Sequence, residues 1–69
     1  MERTPVSSSN LVSVGYDPDS SILEVEFNNA RIYQYYDVPD HIYSELMGAE
    51  SLGSYLHHNV KPFFGCSMI

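Results

Sequence analysis

The stretch ILEVEFNNARIYQYYD, from Ile22 to Asp37, decides the fold. Its first part alternates apolar and acidic side chains through Leu23, Glu24, Val25, Glu26 and Phe27, the period-two pattern of a half-buried strand. Its last part, Arg31 to Asp37, carries three tyrosines and an isoleucine, residues that fit a pleated surface. Asn28, Asn29 and Ala30 between them form a turn, so the two strands pair antiparallel.

Upstream, Leu11 to Tyr16 (LVSVGY) repeats the strand pattern. Asp17-Pro18-Asp19-Ser20 joins it to Ile22 as a turn, because proline presets φ and aspartate bonds the turn backbone. The result is a three-stranded antiparallel meander. Downstream, Val38 stands before Pro39 and is held extended, while proline at the first helical position loses no helical hydrogen bond. A helix is therefore expected from Pro39, with Ile42, Leu46 and Ala49 on one face and Tyr43 and Met47 beside them. Gly48 lies near its end. Ser51 then suits the N-cap of a second helix, Leu52 to Val60, in which Leu52, Tyr55, Leu56 and Val60 form the apolar stripe. The expected fold class is α+β, a three-stranded meander followed by two helices packed on one of its faces. After Lys61 the chain reads PFFGCSMI, without a period and broken by proline and glycine, and a loosely ordered tail is expected over residues 62–69.

A chain of 69 residues has room for one domain, and at that size folding hides only about 60% of the unfolded surface. The single cysteine, Cys66, cannot close an internal disulfide, and nothing in the cysteine usage points to an oxidising compartment. The N-terminus has no basic region followed by an apolar run, and no segment reaches the roughly 18 apolar residues of a membrane span. Cytoplasmic residence is the default expectation, with no membrane partner. Nine acidic against three basic residues give a formal charge of −6, a field that repels phosphate backbones and keeps a small protein in solution.

Several short segments occur here in a characteristic order: PVSSSN from Pro5 to Asn10, Gly15-Tyr16-Asp17, Leu23 to Phe27, Tyr33-Gln34-Tyr35, Val38-Pro39, and Ala49, Ser51, Gly53 and Tyr55 at alternate positions. Together they resemble the KTSC family, a short domain named for its place at the C-terminus of some lysyl-tRNA synthetases. The resemblance runs from Arg3 to Lys61 and makes residues 3–61 a single domain of this kind. Its central mark is the Tyr-x-Tyr pair at Tyr33 and Tyr35. Ala30 departs from it, standing where the family usually has glycine, so a left-handed backbone there carries a cost and Asn29 is the alternative carrier. The family's association with a tRNA synthetase implies RNA as a ligand class.

Tyr33 and Tyr35 share one face of their strand, and paired rings on a sheet are how several modules stack single-stranded bases. The competing reading places both in the core. A two-residue turn, Asn29-Ala30, sets Phe27 opposite Ile32 and puts the tyrosines with Glu24 and Glu26, away from the helices. A three-residue turn with a bulge at Ala30 sets Val25 opposite Tyr33 and Leu23 opposite Tyr35, on the core face. Polar Gln34 between the rings favours the second register. Arg31 beside the motif and Lys61 after the second helix, with Arg3, are the only cations available for phosphates, and they do not make a groove. Tyr33, Tyr35, Arg31 and Lys61 are the candidate ligand-binding residues.

Other chemistry is weaker. His57 and His58 are neighbours on a helix and diverge by about 100°, and no cysteine or aspartate cluster completes a metal set with them or with His41. Ser51 reads as a cap and Cys66 as part of the tail, so neither has the partners of a nucleophile. Asp17 and Asp19 belong to a turn, not an acid/base pair. Cys66 followed by Ser67, Met68 and Ile69 lacks the aliphatic and polybasic context of a prenylation signal. No enzyme activity, cofactor or metal is expected. A binding module is, with another protein or a second copy as the favoured partner and RNA disfavoured by the net charge.

Overall fold

The structure, a computed structural model, describes residues 1–69. A five-stranded antiparallel sheet is built in chain order from β1 (Arg3–Pro5), β2 (Leu11–Asp17), β3 (Ile22–Phe27), β4 (Ile32–Tyr35) and β5 (Cys66–Met68). Two helices, α1 (Asp40–Met47) and α2 (Leu52–Asn59), lie between β4 and β5 in the chain. The meander β2–β3–β4 and both helices stand where the residue patterns put them. The sheet, however, has five strands and not three. Residues expected as a loose tail instead pair Cys66, Ser67 and Met68 with Tyr35, Gln34 and Tyr33, and Arg3 to Pro5 pair with Gly15 to Ser13. Strands of three residues hold too few positions to display a period, and the backbone pairing that fixes them is tertiary.

The second hairpin adopts the three-residue register. Phe27 N–H donates to Arg31 O at 2.9 Å and Ala30 N–H to Phe27 O at 3.0 Å, so Val25 faces Tyr33 and Leu23 faces Tyr35. Ala30 itself takes the left-handed conformation at φ 70°. Asn29 does not carry it; its Oδ1 accepts from Arg31 N–H at 3.1 Å and holds the turn by its side chain. The first hairpin is held likewise, Asp17 Oδ1 accepting from Asp19 N–H at 3.0 Å.

Helix α1 begins one residue later than expected, because Pro39 is extended (φ −71°, ψ 155°) and serves as the N-cap, its carbonyl accepting from Ile42 N–H at 3.0 Å. Ser51 caps α2, its Oγ accepting from Ser54 N–H at 3.2 Å. Val60 ends α2 as its C-cap. Tyr55 donates its hydroxyl to Glu45 Oε1 at 2.8 Å and ties the two helices. Both helices cover the same sheet face, where Leu11, Val14, Leu23, Val25 and Tyr35 meet Val38, Leu46, Leu52, Leu56 and Val60 in one core.

The other sheet face is polar, with Ser13 and Glu24 buried among the partly exposed Arg3, Glu26 and Gln34. Arg3 reaches across β2, donating Nε–H to Ser13 Oγ at 2.9 Å and pairing with the buried Glu24 carboxylate. Gln34 Nε2 donates to Glu24 Oε1 at 2.9 Å from the other side. Gly15 makes room for this, since a Cβ there would stand 2.6 Å from Glu2 O and 3.1 Å from Arg3 Cγ.

Candidate functional site

A groove of about 550 Å³ opens on the core side, between the turn end of β3–β4, the face of α2 and β5. Phe27 and Tyr33 line it from the sheet, meeting edge-on with centroids 5.6 Å apart and planes at 85°. Lys61, just beyond α2, holds its Nζ 5.4 Å from the centre of the Phe27 ring. His57 and Gly53 contribute from α2, Cys66 from β5, and Asn10, Asn28 and Asn29 from the two loops at this end. Tyr35 lies at the base and is only 2% exposed. Burial, then the nearby Cys66 and Tyr33, pushes its phenol up to about 12.

The structure thus brings Tyr33, Tyr35 and Lys61 together and leaves Arg31 out, exposed beside the turn and absent from the lining. The two tyrosines also part company. Tyr33 is half-buried and lines the groove, while Tyr35 is a core residue that no base can stack on without opening the fold. Phe27, Asn10 and His57 are additions that reading along the chain misses, because they converge only once α2 lies on the sheet. One signal was available in Gly53: a Cβ there would lie 2.9 Å from Asn10 Nδ2, so glycine permits the Asn10 loop to close over α2. None of the nine acidic residues lines the groove.

Beside the groove runs the free edge of β5. Ile69 N–H donates to Ile32 O and Tyr36 N–H to Gly65 O, each at 2.9 Å. In an antiparallel ladder such inward groups alternate with outward ones, so Cys66 and Met68 turn their N–H and C=O to the outside. The opposite edge differs. Val6 N–H donates inward to Val12 O at 3.1 Å, and with Arg3 opposite Gly15 and Pro5 opposite Ser13 the outward positions of β1 are a charged residue and a proline with no N–H. Proline and charge are the usual means of blunting an edge. From Pro62 to Ile69 no charged side chain occurs, and Phe63, Met68 and Ile69 are 72%, 58% and 63% exposed.

Several polar groups with reactive chemistry are engaged in structure. The Ser51 hydroxyl caps α2 and the Asp17 carboxylate holds its turn. His58 Nδ1 lies 2.9 Å from Ser54 O within the helix. No three His, Cys, Asp or Glu side chains converge as a metal set would require, and no helix is long and apolar enough to cross a membrane.

The chain is similar to several known proteins. A crystal structure of a KTSC domain protein from Yersinia pestis superposes with a TM-score of 0.96 at 41% identity, covering 99% of this chain and 96% of that one. An uncharacterised protein of Stutzerimonas stutzeri is 44% identical over 62 residues, 90% of this chain and 87% of its own length. A lysine–tRNA ligase of Nostoc is 39% identical over 49 residues, 71% of this chain but only 9% of the ligase. The KTSC domain matches residues 7–64, a span that takes in the meander, both helices and every lining residue of the Tyr33 groove except Cys66, and the chain belongs to the KTSC domain family.

Proposed function

We propose that this domain is a non-catalytic binding module that captures an extended segment of a protein chain, from another protein or a second copy, on the free edge of β5. The observation that carries the reading is the asymmetry of the sheet. β1 is blunted by Pro5 and Arg3, whereas β5 offers the outward N–H and C=O of Cys66 and Met68 among uncharged, exposed apolar side chains. Addition of a strand to such an edge supplies main-chain hydrogen bonds, and the neighbouring side chains supply selectivity. Met68→Pro tests it, because proline there removes an outward donor and leaves the ladder to β4 intact. Affinity capture from native lysate and sedimentation of the purified protein should show a partner or a dimer that Met68→Pro loses. A wild-type protein that is strictly monomeric and captures nothing, or a partner retained in full by Met68→Pro, contradicts the reading.

A second reading is RNA, favoured by the similarity to part of a lysine–tRNA ligase and by the half-open Tyr33 ring beside Lys61. Against it, one ring contributes about 1–3 kcal/mol per stacked base, and the charge of −6 opposes the phosphates. Arg3 is already paired with Glu24. An NMR titration with short single-stranded RNA at low salt separates the readings. Shifts at Tyr33, Lys61 and Arg31 that vanish in a folded Tyr33→Ala support RNA, and a silent titration dismisses it.

A further inference from the structure

We infer that the Tyr33 groove is a binding site for a small organic monocarboxylate with an aromatic or aliphatic body, independently of what occupies the β5 edge. Its volume of about 550 Å³ falls within the roughly 300–1,000 Å³ usual for small-molecule sites. Half of its 12 lining residues are hydrophobic, and Phe27, Tyr33 and Leu56 give an apolar body something to pack against.

The polar lining selects the sign of the ligand. A chain with nine acidic residues places none of them in this groove and gives it Lys61, an ammonium group, with the side-chain amides of Asn10 and Asn29, that of Asn28 already donating to Ser9 O. Lys61 forms no ion pair within the molecule; its contact is the Phe27 ring. An anion seated beside Lys61 and against Tyr33 therefore gains a counter-charge without breaking an existing ion pair, and Asn N–H donors can satisfy carboxylate oxygens.

The count of charges sets the class more narrowly. With Lys61 as the one lysine or arginine in its lining, the groove is built to balance one negative charge. A phosphate dianion or a polyanionic backbone brings more charge than Lys61 offsets, within a molecule of formal charge −6. A cation is opposed by Lys61 itself. A neutral apolar ligand would leave the ammonium and amide groups without use.

The test compares phenylacetate with its neutral isostere phenylacetamide and with inorganic phosphate, by two-dimensional NMR on the full chain at low salt. Phenylacetate is expected to shift the amides of Tyr33, Leu56, His57 and Lys61 and to bind about fivefold more tightly than phenylacetamide, the scale of one partly exposed charge pair. Lys61→Met should abolish that preference while leaving the spectrum otherwise folded, Lys61 being exposed. His57→Gln should retain the preference, which assigns the charge to Lys61. Equal affinity for acid and amide, tighter binding of inorganic phosphate, or shifts scattered outside the groove would overturn the assignment.

Discussion

Ala30 shows most sharply what a single residue does in this molecule. Its φ of 70° fixes the three-residue turn, the turn fixes the register, and the register sends Tyr33 and Tyr35 to the core face. A non-glycine residue in that conformation costs roughly 1 kcal/mol, so Ala30→Gly should raise stability by about that amount, read as a higher denaturant midpoint with an unchanged slope. Glu24 is the second decisive residue. The Gln34 amide and the Arg3 guanidinium hold its carboxyl below the usual 4.5, against the effect of its burial. Because the folded value lies below the unfolded one, the unfolded chain binds the proton first, and the stabilisation present above about pH 4.5 is lost as pH falls through the folded value. Glu24→Gln should lower stability by about 1–3 kcal/mol at neutral pH, and its deficit relative to the wild type should shrink on acidification. Asp17, also held low by its Ser20 and Asp19 hydrogen bonds, keeps the mutant's own acid limb from being flat. Denaturant melts at a series of pH values measure both effects.

At the scale of elements, the meander and the helices were legible because each is long enough to display its period. Leu23, Val25 and Phe27 alternate with Glu24 and Glu26, and Leu52 and Leu56 recur one turn apart. The edge strands were not legible. Pro5 argues against a strand in isolation and is tolerated in β1 only because its missing N–H would have faced outward. Gly65 and Pro62 suggest an unstructured end, yet β4 offers a vacant edge that Cys66 to Met68 complete. The groove was legible in part for a similar reason. Tyr33, Tyr35 and Lys61 stand out along the chain, whereas Phe27 reads as core, and Asn10 approaches α2 only because Gly53 lacks a side chain. The attachment of β1 makes an element-level prediction. Gly15→Ala places a methyl 2.6 Å from Glu2 O, a backbone atom that cannot turn aside, so β1 must shift and Arg3 must leave Glu24. A loss of about 1–3 kcal/mol is expected, with faster amide exchange at Thr4 and Val6 and little change at Val25.

For the whole molecule, a single core between one sheet face and two helices leaves a groove at Tyr33 and a free edge at β5, the two places proposed above for a ligand and a partner. A formal charge of −6 opposes the phosphates of a nucleic acid and has little influence on an uncharged strand edge. The proposed capture of a protein segment at that edge is tested most directly by amide hydrogen exchange, read residue by residue along β5, with and without the captured partner or across a dilution series if the partner is a second copy. In the free monomer the inward Ile69 amide should be protected and the outward Met68 amide should exchange freely. Binding should confer protection on the Met68 and Cys66 amides together. A bound partner that leaves both exchanging as in the free protein would contradict the assignment of the β5 edge as the docking surface.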